Sequence, residues 1–386
     1  MFRTPRLQLL AVPVVLAVAA TGCGKDDPGD STSTGSGKKT ATIEVTLTDA
    51  GCEPRSISAT AGPTTFHVTN QDSSAVTEFE ILAASDKILG EVENISAGLD
   101  RTLSLNLKAG SYTTKCTNGT KEFGTLEVAE SGTGATADSA ERIAAVTTYL
   151  TYVQAEADKL VPAATAFAAA VKAGDVTQAR ALFAGARYHY ETIEPIAESF
   201  GDLDPRIDAR EGDVDEKDWT GFHRLEQALF VTGTADGLGT IADTLVADVT
   251  ELQKKIAGIE LDPSQVANGA VELLNEVSSS KITGEEDRYS GTDLSDFAAN
   301  LEGAKAAFDA VKPLLATDEA KLVSTIDARF TAVSAALDTY KDPSSIANGY
   351  RIYTSLKDDP AATQDLSTKV DALAEPLSRV AALVLR

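Results

Sequence analysis

The sequence of 386 residues contains little sulfur, little imidazole and comparatively few basic side chains. Its 34 Lys and Arg residues stand against 58 Asp and Glu residues. The resulting formal charge of −24 excludes a general nucleic-acid-binding protein, because phosphate neutralisation needs clustered basic residues. Three Cys residues are too few for a zinc-finger or iron–sulfur framework, and a single Met excludes a methionine-rich copper(I) carrier. What remains is an acidic globular protein of two or three domains, for which cations are the natural partners.

Residues 1–22 are predicted to be an export signal. Basic residues precede an apolar run at 7–20, which is too short to span a bilayer comfortably. Gly22-Cys23 resembles a bacterial lipobox, so we expect Cys23 to become the lipidated N-terminus, with a soluble secreted protein cleaved nearby as the alternative. Residues 23–40 are rich in Gly, Ser, Thr and Asp and predict a flexible tether. We therefore expect an exported protein, lipid-anchored on the outer face of the cell membrane, in the periplasm or at the cell surface.

Residues 41–129 alternate between apolar and polar side chains with a period of two. Ile43, Val45 and Leu47 are a typical run, and turn-prone Gly, Pro and Asn residues separate such runs. Short strands at this spacing predict a small all-β sandwich of about seven strands. Cys52 and Cys116 lie in this region, and the sequence leaves open whether they form a disulfide or stay reduced.

The period changes beyond a Gly- and Thr-rich linker at residues 130–137. Residues 138–386 carry helix-capping motifs and long amphipathic runs, and no segment alternates like a strand. We expect an all-α bundle, long enough for two four-helix units side by side. The helices predicted from these patterns include residues 218–231, 237–257, 292–312, 318–341 and 362–384.

Three glutamates form the first candidate site in the helical region. On one continuous helix, Glu191, Glu194 and Glu198 would lie within about 60° of one another. Pro195 should kink or widen that helix, because it cannot donate to the carbonyl of Glu191. A bound cation would offset the repulsion between the carboxylates. A solvated acidic face is the alternative, with Arg187 and Glu191 as a plain surface pair.

His223 and Glu226 form the second candidate, since residues three apart share a helix face. Carboxylate-rich iron sites in helical bundles use the same pair of side chains, although a lone helical His is often structural. A further polar stripe either lines an inner cleft or marks the boundary of an amphipathic helix; it contains Tyr289, Asp293, Asp296 and Asn300.

Several longer strings resemble the EfeO family of bacterial ferrous iron uptake components. They are residues 186–204, 207–211, 221–230, 281–290 and 374–378, in that order along the chain. The resemblance covers the whole mature chain. It implies a multidomain protein in which a cupredoxin-like β-sandwich (41–129) precedes an imelysin-like helical metal-binding domain (138–386).

The same resemblance implies the ligands and the partners. His223 and Glu226 match the metal-binding His-x-x-Glu motif of the family, and Glu191 and Asp208 occupy the positions of its partner carboxylates. Glu194 and Arg210 are candidates for supporting residues or additional ligands. Oxygen and imidazole donors suit Fe(II) or Fe(III), with zinc or copper as alternatives. The implied function is capture of iron and its delivery to a membrane ferrous iron permease, alongside a haem-dependent peroxidase.

The sandwich contains a candidate second metal site by the same resemblance. A blue-copper site is not expected there, because the region has one imidazole, that of His67, and no Met. The family's cupredoxin-like domain instead points to iron or copper held by Cys and Glu side chains. The matching residues are Cys52, Glu53, Glu78, Glu80 and Cys116.

Two other functions remain open from the sequence. An imelysin-type metallopeptidase would be an enzyme, but the helix of His223 has no second His in the His-Glu-x-x-His pattern of zinc peptidases. A periplasmic polysaccharide or peptide binder with the same fold would need an aromatic cleft, and aromatic residues are only 6% of the chain. We therefore expect a binding protein and no catalytic residues.

Overall fold

The computed structural model describes residues 41–83, 87–131, 139–353 and 359–386. The predicted signal peptide, the predicted tether, the predicted lipidation site Cys23 and residues 132–137 of the linker lie outside the described residues. Strands occupy the N-terminal part and helices the C-terminal part, as the sequence predicts. None of the helices in the described part of the chain combines the length and the apolar character needed to cross a membrane.

Within residues 41–83 and 87–131, nine strands form a sandwich of two sheets, where the sequence predicts about seven. One sheet has the order β2-β1-β4-β7 and the other β3-β9-β8-β5-β6. The β1–β4 and β3–β9 pairs are parallel and the other pairs are antiparallel. A strand of three residues, such as β2, is too short for a period of two to be recognised. The strands are Ala41–Thr48 (β1), Gly51–Glu53 (β2), Ser56–Thr60 (β3), Gly62–Asn70 (β4), Phe79–Leu82 (β5), Ile88–Val92 (β6), Asp100–Leu107 (β7), Gly110–Lys115 (β8) and Phe123–Ala129 (β9).

Cys52 and Cys116 are joined in a disulfide between β2 and the end of β8, with their Cα atoms 5.8 Å apart. Both residues are buried in the apolar core of the sandwich, next to Phe66 and Phe79. A sulfur in a disulfide is not a thiolate, so the expectation that these cysteines ligate a metal is corrected.

Ten α-helices follow among the described residues, and one continuous apolar core runs through them. The second half is a group of four long helices, α6 to α9. In the first half, two short helices, α3 and α4, pack against α5 beside the long α1 and α2. The helices are Ala140–Lys172 (α1), Val176–Glu191 (α2), Leu203–Asp208 (α3), Gly221–Gln227 (α4), Gly239–Ile256 (α5), Pro263–Ser279 (α6), Asp293–Val311 (α7), Ala320–Asp338 (α8), Pro360–Leu377 (α9) and Val380–Val384 (α10).

Helix α2 does not continue through the predicted glutamate stripe. It ends at Glu191, and residues Glu194–Phe200 form a separate 3₁₀ helix, because Pro195 has no N–H with which to continue the α-helical ladder. The prediction that one α-helical face carries Glu191 and Glu194 is therefore wrong. The side chain of Glu198 lies outside the described residues.

Two glycines fix the position of this irregular segment. A Cβ at Gly269 of α6 would collide with the carbonyl oxygen of Pro195, and a Cβ at Gly303 of α7 would collide with that of Thr192. The backbone between α2 and the 3₁₀ helix is therefore held between α6 and α7 at backbone contact distance.

Helix α6 also contacts the sandwich, and both domains fall in one compact unit. Gln265 Nε2 donates to the carbonyl oxygen of Leu89 at 2.9 Å, and Asn268 Nδ2 donates to that of Ser104 at 2.8 Å. One helix thus contacts the sandwich on one side and α7 on the other.

Candidate metal centre

His223 lies at the start of α4, in the interior of the helical domain. The side chain is only 1% exposed. Its Nδ1 atom lies 2.9 Å from Glu226 Oε2, and Glu226 Oε1 accepts the backbone N–H groups of Tyr289 at 3.0 Å and Ser290 at 2.7 Å. Glu226 is therefore fixed by the loop before α7 and orients the imidazole. This arrangement leaves the opposite nitrogen, Nε2, for a ligand.

The Nε2 atom of His223 has no hydrogen-bond partner among the described residues, although it is buried. It lies 3.6 Å from Asp208 Oδ1, at the end of α3, and 3.5 Å from Glu286 Oε1, in the loop before α7. Ligand atoms that are each about 2.0–2.2 Å from one metal ion lie about 3.0–3.6 Å from one another. The spacing of these three side chains thus fits a shared cation better than it fits direct hydrogen bonds.

Arg187 of α2 is the centre of the surrounding ion pairs, and its side chain is fully buried. It donates to Glu286 at 2.9 Å and to Asp296 at 3.0 Å, and it also donates to Asp208 and Glu191. Asp287 Oδ1 lies 3.3 Å from Arg187 Nε. The suggestion that Arg187 and Glu191 are a plain surface pair is therefore wrong. Arg187 holds in place two of the carboxylates that face His223.

Lys281 is the second buried cation, in a 3₁₀ turn directly after α6. Its Nζ atom lies 2.5 Å from Glu194 Oε1 and 3.1 Å from Glu191 Oε2. Asn300 of α7 donates to the other oxygen of Glu194 at 2.6 Å and to Glu191 Oε2 at 2.9 Å. Glu191 and Glu194 are therefore held mainly by protein cations and an amide.

The N-terminal half of α7 completes the cluster. Asp293, Asp296 and Asn300 are buried, so the predicted polar stripe lines the inside of the bundle and is not a helix boundary. Tyr289 lies at the edge, where its hydroxyl donates to Glu211 Oε2 at 2.5 Å. Oδ1 of Asp296 and Oδ2 of Asp293 are buried without a hydrogen-bond partner in the described chain. Such atoms indicate a network that a bound ion, water or proton would complete.

Burial and neighbouring charges shift the pKa values of the groups that face the gap. Burial and the nearby positive charge of Arg187 would lower the pKa of His223, but attraction to Asp208, the hydrogen bond to Glu226 and the nearby Glu286 carboxylate raise it to about 10. Burial raises the pKa of Asp208 to about 7, against the attraction of Arg187. Burial would also raise the pKa of Glu286, but Lys281, His223 and Arg187 hold it well below its usual range. The metal-free centre therefore holds protons that a metal ion would displace.

Several of the predicted site residues lie close together in the structure. Ligand atoms lie within 4.8 Å of one another in each of three overlapping groups: Asp208, His223 and Glu286; His223, Glu226 and Asp287; Glu191, Glu194 and Asp208. The sequence reasoning did not assign site roles to Arg187, Lys281, Glu286, Asp287 and Asp296. Three of these five lie in residues 281–290, the string already recognised as a family signature, and that was the available signal.

Arg210 reaches the cluster from the outside, where its Nη1 atom donates to Glu286 Oε2 at 3.1 Å. Its guanidinium cannot ligate a cation, since it has donors and no acceptor. The expectation of Arg210 as an additional ligand is therefore corrected, and a supporting role fits its position.

The structure does not bring together the residues of the candidate second metal site in the sandwich. Glu80 is buried and accepts from Lys115 Nζ at 2.5 Å, and Glu53 is exposed. Glu78 comes just before β5, and its carboxylate groups with those of Glu91 and Glu93. Burial, together with a hydrogen bond to Glu80, raises the pKa of Glu78 to about 9. With the cysteines in a disulfide, the predicted set of Cys and Glu ligands is not assembled.

Comparisons with known proteins agree with this architecture. The family model for imelysin matches residues 145–380, and the model for the cupredoxin-like domain matches residues 13–128. Fold and site thus define a two-domain protein, with a cupredoxin-like sandwich and an imelysin-type helical domain built around buried carboxylates. The iron uptake system component EfeO of Escherichia coli O157:H7 is 42% identical over 348 residues, which are 88% of this chain and 90% of that protein. EfeO of Shigella flexneri has the same identity and coverage. The chain belongs to the EfeO family of iron uptake system components.

A solved structure also matches part of the chain. Reduced auracyanin from Roseiflexus castenholzii is 15% identical and covers 23% of this chain and 98% of its own, with a TM-score of 0.21. A score this low carries no argument about this protein.

Proposed function

We propose that this protein captures iron outside the cytoplasm and delivers it to a membrane ferrous iron permease. The observation that carries the proposal is the buried Nε2 atom of His223, which has no partner in the described chain and faces Asp208 and Glu286 at metal-ligand spacing. The name of the relatives, iron uptake system component, supports iron as the cargo. The wider system would include a haem-dependent peroxidase, as the family implies.

The proposed ligands are His223 Nε2, Asp208 and Glu286, with Glu226 as the group that orients the imidazole. Carboxylate and imidazole donors suit Fe(II), Fe(III) and Zn(II), whereas Ca(II) and Mg(II) prefer shells made only of oxygen. Asp287 is a further ligand if the ion lies on the Nδ1 side of the ring, where it groups with His223 and Glu226. Glu191 and Glu194 support the site through Lys281, and they bind the ion directly only when Lys281 moves.

The proposed activity is binding and release, without turnover. A metallopeptidase needs room for a peptide beside an open metal position and a general base. Here the proposed ligands His223, Asp208 and Glu286 are only 1%, 10% and 3% exposed, so they present no open surface to a peptide backbone. Chelator-sensitive cleavage of casein by the purified protein would contradict this assignment.

The proposed location follows from the predicted N-terminus. Cleavage after residue 22 and lipidation of Cys23 would anchor the protein on the outer face of the membrane, and residues 24–40 would tether the two domains. Labelled palmitate should enter the wild-type protein, and Cys23→Ser should abolish labelling and release the protein from the membrane.

Calorimetric titration with Fe(II) under anaerobic conditions tests the proposed site. We expect one strong site, which His223→Ala and Glu226→Ala abolish. His189→Ala is the matched control, because His189 is a half-buried helical imidazole that pairs with Glu156 outside the cluster. Unchanged affinity in both of the first two variants would defeat the proposal.

A further inference from the structure

An acidic cleft of about 380 Å³ lies between the sandwich and the helical domain. Strand β6 and the residues after it form one wall, and α6 with the 3₁₀ helix of residues Glu194–Phe200 forms the other. Among the described lining residues, six carboxyl groups face one basic side chain, that of Arg210. The acidic residues are Glu91, Glu93, Glu194, Asp204, Glu272 and Glu276. A concave surface of one charge sign concentrates counter-ions and speeds their arrival.

The inner end of this cleft contacts the metal centre through two basic side chains. Arg210 lines the cleft and donates to Glu286 Oε2 at 3.1 Å, while Glu286 Oε1 lies 3.5 Å from His223 Nε2. Glu194 also lines the cleft and lies 2.5 Å from Lys281 Nζ. A single ion pair, that of Arg210 with Glu286, therefore connects the wall of the cleft to a residue that faces His223.

The ammonium group of Lys281 lies between carboxylates of the cleft and a carboxylate of the metal centre. The lysine side chain is 1% exposed, and its ammonium group lies among four carboxylates. Nζ is 2.5 Å from Glu194 and 3.1 Å from Glu191, and it is 3.9 Å from both Glu276 and Glu286. Glu194 and Glu276 belong to the cleft, whereas Glu286 belongs to the centre. A compact ammonium on a flexible stem can withdraw from such a place, which a rigid and multiply bonded guanidinium cannot do as easily.

We propose that the cleft between the domains is the route by which a cation reaches the His223 centre, and that the Lys281 ammonium is the internal cation with which it exchanges. The proposal rests on the function proposed above. Because the incoming cation replaces the Lys281 ammonium, Glu191 and Glu194 are paired with a positive charge before and after the exchange. An unpaired buried carboxylate would be strongly unfavourable. The lysine also competes with the bound ion, which weakens binding and allows delivery. The sandwich contributes Glu91 and Glu93 to the route, so it acts in capture without holding the ion.

Stopped-flow binding of Co(II), followed by its visible absorbance, tests the route. The test variant Glu93→Gln/Glu272→Gln removes two carboxyl groups from the cleft. Burial raises the pKa of both groups, that of Glu272 to about 8, so the rates are compared at pH 8.5, where more of these groups are ionised. The matched control Glu127→Gln/Glu130→Gln removes two exposed charges elsewhere. We expect the cleft variant to lower the association and dissociation rate constants about fivefold at low salt, with a Kd within about twofold, and the difference to vanish at high salt. Equal association rates for the cleft variant and the control would overturn the route.

Titration of Lys281→Gln and Lys281→Met with Co(II) tests the exchange. Both variants should bind Co(II) at least tenfold more tightly than the wild type, and the ion should raise their Tm by more. The Gln variant keeps donors for Glu191 and Glu194 and so guards against misfolding of the Met variant. Unchanged or weaker affinity in a folded variant would overturn the exchange. If His223→Ala binds Co(II) like the wild type, the proposed site itself fails, whatever the rates in the cleft variant.

Discussion

The sandwich and the helical domain both bury acidic side chains, but they balance the charge in different ways. In the sandwich, Glu80 is 2% exposed and pairs with Lys115, whose side chain is 29% exposed and reaches solvent. In the helical domain, Arg187 and Lys281 are themselves buried, and Arg187 contacts five carboxylates. The first arrangement is a partly exposed ion pair, and the second is a buried polar core.

This difference shows what each fold depends on. The sandwich has an apolar core that is cross-linked by the Cys52–Cys116 disulfide, so we expect its stability to depend little on its glutamates. In the helical domain, α2, α4 and α7 all contribute to the polar cluster, and removing one charge leaves its partners unpaired at low dielectric. The variants below compare the two arrangements, from the largest expected effect to the smallest.

Arg187→Met should have the largest effect. Removing one partner of a buried ion pair costs about 3–5 kcal/mol, and Arg187 contacts five carboxylates, so we expect a loss near 5 kcal/mol in the helical domain. Arg180→Met is the control on the same helix, and it should lose only about 1–2 kcal/mol, because Arg180 donates to one backbone carbonyl, that of Leu229. Urea unfolding followed by hydrogen exchange in each domain measures both losses. Equal losses would show that the cluster is no more demanding than an ordinary contact.

Cys52→Ala/Cys116→Ala should have the next largest effect, and in the sandwich alone. The two cysteines are 64 residues apart, and a cross-link that closes such a loop contributes about 4 kcal/mol in the chain-entropy account. Exchange protection should fall in the strands and stay unchanged in α1 to α9, and Fe(II) affinity should not change. A loss of iron binding in this variant would restore the cysteines as ligands and end the contrast between the domains.

Periodicity predicted the helices and the sandwich, and it failed where structure depends on contacts distant in sequence. The period of the apolar residues in α5, α7 and α8 identified those helices within a few residues. Pro195 predicted only a kink after Glu191, because the path of the backbone beyond α2 also depends on α6 and α7, which contact it at Gly269 and Gly303. No local pattern reveals a backbone contact across 74 or more residues.

The residues of the candidate site likewise include some that a local sequence pattern predicts and others that it does not. His223 and Glu226 were recognisable because they are three residues apart on one helix. Asp208 and Glu191 came from the family resemblance. Arg187 was interpreted as half of a surface pair, since an i, i+4 pair with Glu191 is common on exposed helices. Its burial depends on α4 and on the loop of residues 284–292, which cover it only in the folded chain.

Metal affinity should depend on pH, because His223 and Asp208 hold protons in different pH ranges. The raised pKa of His223, about 10, means that the imidazole is protonated in the metal-free protein at neutral pH, and a bound ion must displace that proton. Affinity should therefore rise about tenfold, or about 1.4 kcal/mol, for each pH unit between 7 and 9. Below pH 7 the slope should steepen, since Asp208, with a pKa of about 7, also holds a proton.

Calorimetry in buffers of different ionisation enthalpy counts the protons released in that titration. We expect about one proton per Fe(II) at pH 8. The metal-free protein should lose the stability contributed by His223 as the pH rises from 6.5 through 10, because a base with a raised folded pKa stabilises the fold only while it is protonated. Affinity that is flat between pH 7 and 9 would place the ion away from His223.

Lys115→Met should have the smallest effect and completes the comparison. Glu80 loses the ammonium but keeps the hydroxyl of Thr117, which donates to the same oxygen at 3.1 Å, and the partly exposed lysine contributes as surface pairs do. We expect the sandwich to lose about 1 kcal/mol and Co(II) affinity to stay unchanged, measured by the same domain-resolved exchange and titration. A loss as large as that of Arg187→Met would mean that Glu80 and Lys115 also form a core. The contrast between a partly exposed ion pair in the sandwich and a buried polar core in the helical domain would then have to be abandoned.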